Sequence, residues 1–182
     1  MSRISVPASI EAAPEASRPL LQQVKSSIGS VPNLFRLVSA SPAALGGYLA
    51  LSGALAGGRL DPATRERIAL AIAQFNGCGY CLSAHTYLAG AVAGLSPEEI
   101  ADNRLGRSGD AKADAAVVFA LKVAENRGRV ADADLAAVRA AGHDDGLIVE
   151  IVQHVALNIW TNYMNELAQT EIDFPLASGV AA

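Results

Sequence analysis

Apolar positions return every three to four residues through most of the chain, and the period-two alternation of half-buried strands is absent. After Pro14, Leu20, Leu21, Val24 and Ile28 form one helical stripe, and Gly29 is placed to end it with a left-handed cap. Val31-Pro32 breaks the pattern before a short helix over Asn33–Ala40. Ser41-Pro42 opens a third helix that runs to Ala56 and meets Gly57-Gly58. Asp61-Pro62 starts a fourth, to Asn76, and a fifth follows from Gly79 to Ala93. Ser96 with Glu99 reads as a capping box for a short sixth segment. Asp110–Asn126 is amphipathic and closed by Gly128, and Asp132 caps a piece ending at Ala141. Gly146 to Thr170 is the last long helix, carrying Ile148, Ile151, Val152, Val155, Ile159 and Trp160. The expected fold is an all-α, single-domain helical bundle over residues 14–175, with an N-terminal extension, 1–13, and a C-terminal tail, 176–182.

One stretch stands apart. Between Arg67 and Glu98 there is no Lys, Arg, Asp or Glu, a length that raises the question of a membrane span. Gln74, Asn76, Ser83, His85 and Thr86, with Gly77 and Gly79 interrupting the run, suit two buried helices joined by a turn instead. Helices without a charged face need cover from other protein, so part of this surface is expected at a subunit interface and the protein is expected to be a homo-oligomer.

The hydrophobic share of 51% over 182 residues supplies one core. Much of that share is alanine, which favours closely packed helices over strands. A net charge of -4 without a dense basic run gives no electrostatic footprint for nucleic acid or an anionic membrane surface. Met1 to Glu15 has neither a basic segment followed by an apolar core nor a small-residue cleavage site, so a cytoplasmic location is expected. The two cysteines lie three positions apart, a pairing read as catalytic or metal-binding, not as a disulfide scaffold.

Asn76-Gly77-Cys78-Gly79-Tyr80-Cys81 sets both thiols at a predicted helix start, where free N–H groups and the macrodipole favour a thiolate. A thiolate attacks peroxide oxygen, and a neighbouring thiol condenses with the sulfenic acid that results. His85 follows Cys81 by four residues and stands one helical turn away on the same face. An antiparallel hairpin bent near Phe75 and Asn76 brings Glu66 level with His85. Carboxylate, imidazole and thiol then form an orienter, base and nucleophile series. Two other readings of the cysteine pair are weaker. The thioredoxin type requires a strand before the motif, and zinc requires Cys78, Cys81, His85 and a carboxylate to converge as four ligands.

The spacing Glu66-x11-Cys78-x2-Cys81-x3-His85 resembles the signature of the alkylhydroperoxidase D and carboxymuconolactone decarboxylase superfamily. Val31-Pro32-Asn33-Leu34-Phe35 and Asn76-Gly77-Cys78 are similar to its peroxidase-related branch. The resemblance implies an all-α fold, a trimer or hexamer, and an antioxidant thiol peroxidase that reduces hydrogen peroxide or organic hydroperoxides through a redox-active disulfide, without metal or cofactor. By the same resemblance Cys81 is the peroxidatic thiol, Cys78 the resolving one, and Glu66 with His85 the proton relay. The external donor would be a lipoyl-, thioredoxin- or glutathione-type thiol. Tyr80 departs from the family pattern, which has a histidine immediately before the second cysteine. A phenol hydrogen-bonds but is a poor base at neutral pH. The superfamily also contains lactone decarboxylation, which does not need the thiol pair, and a redox-sensing oligomer without turnover is the non-enzymatic alternative.

Glu66 taken alone reads as a first-turn acid paired with Arg65 or Arg67, and Tyr80 as a packing residue or a hydrogen-bond donor at the site. His154, Asn158 and Asn162 trace a polar stripe at four-residue steps along the last helix. The stripe is expected to serve a buried hydrogen-bond network at a helix or subunit contact, with a lining position at the reactive centre as the alternative for His154 and Asn158. His143 is expected in a loop.

Overall fold

The computed structural model describes residues 2–180, and every regular element among them is helical. A single 3-10 turn, Glu15–Ser17, leads into α1 (Arg18–Ile28), followed by α2 (Asn33–Val38), α3 (Pro42–Ala56), α4 (Pro62–Asn76), α5 (Gly79–Ala91), α6 (Pro97–Arg104), α7 (Ala111–Glu125), α8 (Asp132–Ala140) and α9 (Asp145–Ala168). No described helix is long and apolar enough to cross a membrane.

Helix α4 is the axis of the bundle, in contact with α5, α6, α7 and α9. Its ends are fixed by sequence. The Asp61 side chain accepts the Thr64 N–H at 2.9 Å at the start, and Gly77, with φ of 69°, closes the other end in the left-handed region that glycine enters without a Cβ penalty. Between the caps, Ile68, Leu70 and Ile72 are fully buried, each contributing about 1.5–3 kcal/mol of burial. Ala69, Ala71 and Ala73 are also buried, and their small side chains let neighbouring helices approach closely. On one side Ile68, Ala71 and Ile72 pack with Val117, Phe119 and Ala120 of α7 and Ile151 and Val155 of α9. On the other side Ala73 joins Cys78, Tyr80, Cys81 and Leu82, together with Leu21, Leu34 and Leu45 from α1, α2 and α3.

The capping-box expectation at Ser96 is met only in part. The Ser96 hydroxyl accepts the Glu99 N–H at 3.2 Å, but the Glu99 carboxylate does not return the favour. It takes Arg67 Nε at 2.7 Å, Ser108 Oγ at 2.6 Å, Asn103 Nδ2 at 3.0 Å and the Gly109 N–H at 2.9 Å. The half-buried Arg67 guanidinium of α4 is the stronger partner, so Glu99 locks α6 and the following loop onto α4.

The chain after α9 is irregular yet firmly held. Gln169 adopts a left-handed conformation with φ of 50°, ending the helix short of Thr170. Asp173 Oδ2 accepts the Asn33 N–H at 2.8 Å, Ser83 Oγ accepts the Ala177 N–H at 3.2 Å, and Arg104 donates to the Ser178 carbonyl at 3.0 Å. Ile172, Phe174, Ala177 and Val180 thereby lie against the layer that contains both cysteines. At the other terminus, Arg3 N donates to the Ala168 carbonyl at 2.6 Å and Arg36 donates to the Ala8 carbonyl at 3.0 Å.

Candidate active site

The α4 to α5 connection is as short as a helical hairpin allows. Gly77 turns the chain, Cys78 N donates to the Ala73 carbonyl at 3.0 Å, and Cys78 becomes the N-cap of α5. Its sulfur takes the place of the usual hydroxyl or carboxylate and accepts the Cys81 N–H at 3.3 Å. Cys81 sits in the first turn of α5, at the positive end of the helix dipole. Both sulfurs are free thiols.

Their surroundings differ. Cys81 lines a cavity of about 320 Å³ enclosed by α3, α4, α5 and α9, while Cys78 has no exposed surface and does not line it. The C-terminal tail closes the other side of the hairpin, with a Val180 methyl so near Gly79 that a Cβ there would stand 2.9 Å from it. One thiol thus faces the cavity and its neighbour is sealed behind it.

His85 lies one turn along α5, and its Nδ1 stands 2.8 Å from Glu66 Oε2. Neither arginine beside Glu66 competes for it: Arg65 donates to the Leu55 and Ala56 carbonyls at 3.1 and 2.7 Å, and Arg67 is bound to Glu99. Glu66, His85 and Cys81 share the same cavity wall. Among the described residues no three of His, Cys, Asp and Glu converge as metal ligands do.

The electrostatics separate the two thiols. Cys81 is lowered to about 7, chiefly by the hydrogen bond of the Cys78 thiol, against the upward push of burial, and further by the charge of His85 and the Asn165 amide. Cys78 moves far upward because it donates to Cys81 and is buried. For His85, burial works against protonation, and the charge and hydrogen bond of Glu66, with the charge of Cys81, outweigh it, so its pKa is raised. The site therefore favours the thiolate at Cys81 over that at Cys78 and shifts His85 toward its protonated form.

Helix α9 contributes more than the sequence suggested. His154 and Asn158 stand in the cavity wall with Cys81. Asn158 Nδ2 donates to the His154 carbonyl at 2.8 Å, and Asn162 Oδ1 accepts from Asn76 Nδ2 at 2.8 Å, tying α9 to the end of α4. Asn165, one step further along the stripe, donates Nδ2 to Cys81 Sγ at 3.3 Å. The missed signal was the continuation of the stripe beyond Asn162. Tyr48 of α3 also lines the cavity and was not marked by any pattern; its phenol is pushed up by burial and by the charges of Cys81 and Glu66, so it remains neutral.

Tyr80 lines the cavity through its ring, and its hydroxyl is committed elsewhere. It accepts the Leu34 N–H at 3.1 Å and donates to Asp173 Oδ1 at 2.8 Å. Its ring meets Phe174 edge-on, with centroids 5.8 Å apart. The residue in the family histidine's position therefore ties α2, α5 and the tail together. His143 lies in the loop before α9, with Nε2 2.9 Å from the Lys112 carbonyl, away from this site.

The model of the carboxymuconolactone decarboxylase family matches residues 42–126, a span that contains Glu66, both cysteines and His85. A solved peroxidase-related protein from Ralstonia eutropha JMP134, described as an alkylhydroperoxidase AhpD core, superposes with a TM-score of 0.84 at 26% identity, over 94% of this chain and 92% of that one. The family match and the Ralstonia structure together support assignment to the alkylhydroperoxidase D and carboxymuconolactone decarboxylase superfamily. A second peroxidase-related structure, from Silicibacter sp. TM1040, is similar at a TM-score of 0.79 and 19% identity, covering 99% of this chain and 97% of that one. The same fold occurs in the debrominase Bmp8, solved as a cysteine-to-alanine variant in complex with 2,3,4-tribromopyrrole, with a TM-score of 0.79, 16% identity and coverage of 95% and 94%. Among curated proteins, none matches the chain.

Proposed function

We propose that the protein is a thiol-dependent peroxidase in which Cys81 is the attacking sulfur. The observation that carries the reading is the asymmetry of the pair: Cys81 lines a cavity beside Glu66 and His85 and ionises at about 7, while Cys78 is sealed and stays protonated.

The Cys81 thiolate attacks the terminal oxygen of a hydroperoxide. The O–O bond breaks, the departing alkoxide takes the proton of His85, and Cys81 becomes a sulfenic acid two electrons more oxidised. Glu66 holds the imidazole in place and stabilises its charged form. The Cys78 thiol then attacks the Cys81 sulfur; the S–O bond breaks, the hydroxide and the Cys78 proton leave as water, and a disulfide forms. An external dithiol, or two monothiols, reduces the disulfide by exchange and is itself oxidised. A cytoplasmic setting, where thiol donors are maintained, suits that last step.

Stopped-flow consumption of hydrogen peroxide and organic hydroperoxides, with lipoyl, thioredoxin and glutathione donors compared, tests the reading. Turnover is expected with at least one donor and is expected to be lost in Cys81→Ser. Stoichiometric oxidation without turnover under every donor would instead indicate a redox sensor. A homo-oligomer belongs to the same proposal: Phe75, Tyr87 and Val92, in or beside the charge-free segment, remain exposed in the single chain. A monomeric mass in light scattering would remove that part.

A further inference from the structure

The cavity at Cys81 is larger than its smallest proposed substrate needs. Its volume of about 320 Å³ compares with about 30 Å³ for one water in the liquid, and hydrogen peroxide has only one more heavy atom than water. Leu34, Ala69, Leu88 and Leu157 supply an apolar wall for an organic body. The charged side chains around it have internal partners for at least one atom each. Glu66 faces His85, and the Arg65 guanidinium is engaged by the carbonyls at the end of α3.

Among the described residues that line the cavity, His154 alone has a buried side-chain polar atom without a hydrogen-bond partner. It is 5% exposed, lines the cavity, and its Nε2 is buried without a hydrogen-bond partner among the described residues. The other polar residues of its stripe each make one side-chain hydrogen bond, Asn158 on the His154 carbonyl, Asn162 on Asn76 and Asn165 on Cys81; Asn162 Nδ2 and Asn165 Oδ1 are also without partners, but neither residue lines the cavity. A buried imidazole nitrogen without a partner is costly to keep unless something supplies one. Burial and the nearby Arg65 hold His154 neutral, down to about 4, with Glu150 and Glu66 opposing. A neutral ring carries one N–H and one lone pair, and its broad two-fold χ2 lets either nitrogen turn to the cavity.

We propose that His154 is a substrate-recognition residue, and that the hydroperoxide reduced at Cys81 is a compact organic molecule carrying a second hydrogen-bonding group, such as a hydroxyl, which His154 binds. The inference rests on the peroxidase reading above and adds to it the chemistry of the substrate's far end. The peroxide reaches Cys81 and His85, and the second polar group reaches α9. The redox balance is unchanged: the O–O bond accepts two electrons from the Cys81 sulfur and the product alcohol leaves with its polar group intact.

The test compares cumene hydroperoxide with its ring-hydroxylated analogue in the full-length protein, measured as kcat/KM for wild type, His154→Leu and His154→Gln. Wild type is expected to favour the hydroxylated substrate by about tenfold, the order set by one buried hydrogen bond. His154→Leu is expected to bring that ratio close to one, mainly through a higher KM, and His154→Gln, which keeps a donor and an acceptor, to restore part of it. The ratio is read within each variant, so a general loss of folded protein does not imitate the effect. A ratio left unchanged in both variants while turnover persists overturns the inference alone. Absence of turnover with every hydroperoxide in wild type removes the peroxidase reading, and the inference with it.

Discussion

Asn165 Nδ2 donates to Cys81 Sγ at 3.3 Å, joining the last long helix to a cysteine 84 residues earlier in the chain. The contact places a neutral hydrogen-bond donor on the sulfur from a helix other than its own. It favours the thiolate over the thiol, because an ionised sulfur accepts more strongly than a neutral one.

Replacing this residue should therefore be felt as a change in ionisation. Asn165→Leu keeps the approximate volume and removes the donor, and the Cys81 midpoint is expected to rise from about 7. A hydrogen bond of about 1 kcal/mol corresponds to a several-fold loss of thiolate at neutral pH. Absorbance at 240 nm against pH reads the shift directly; an unmoved midpoint would mean that the contact does not act on the sulfur.

Glu66→Gln tests the electrostatic chain at its far end. Burial opposes the charge on His85, and the Glu66 carboxylate overcomes it. Without that carboxylate the protonated imidazole loses its main support, Cys81 loses positive charge beside it, and the Cys81 pKa is expected to rise. Because the thiolate is the reactive form and is present above the midpoint, the rate at pH 7 should fall about tenfold in the variant, and the part due to lost thiolate should be regained toward pH 9, leaving the part due to the missing His85 proton. A uniform loss across that range would contradict the electrostatic role.

Tyr80 makes a separate prediction about the cover over Cys78. Tyr80→Phe strands the Leu34 N–H and removes one of the two hydrogen bonds that hold Asp173. A loss of about 1–3 kcal/mol in chemical denaturation is expected. The tail should also loosen, so alkylation of Cys78 by iodoacetamide, followed by peptide mass spectrometry, should quicken relative to wild type. Unchanged alkylation would show that the tail is held by its apolar contacts alone.

Glu99 governs stability rather than chemistry. Burial works against its ionised form, and the hydrogen bonds from Ser108, Arg67, Asn103 and Gly109 overcome it, lowering its pKa from 4.5 to about 2. The stabilisation is complete above the unfolded value near 4.5 and is lost as pH falls toward 2. Glu99→Gln should cost about 1–3 kcal/mol at pH 7, and the difference from wild type should narrow in urea titrations near pH 3.

Glu66, Cys78, Cys81 and His85 were legible because two helices of defined length meet at a glycine-marked turn. Counting residues back and forth from Asn76 fixes relative heights, and helical periodicity fixes faces. The helices themselves were equally visible, since Asp61, Ser41 and Asp110 cap where short polar side chains precede apolar stripes. Asn165 was out of reach for a different reason. The periodicity of α9 shows which residues share a face, but its rotation and height against α5 are set by packing with α4 and α7, which no local pattern encodes. The tether from Tyr80 to Asp173 was invisible for want of any period in the tail. At Glu99 the local capping pattern was real, and a tertiary partner, Arg67, drew the carboxylate away.

Trapping the first oxidised sulfur tests the central claim most directly. Reduced Cys78→Ser protein is mixed with one equivalent of an organic hydroperoxide in the presence of dimedone, and the adduct is located by peptide mass spectrometry. The account predicts a sulfenic acid adduct on Cys81, formed much faster than on free cysteine, with no adduct in Cys81→Ser. An adduct on Cys78 in the Cys81→Ser protein at a comparable rate, or oxidation of Cys81 no faster than that of free cysteine, would contradict it.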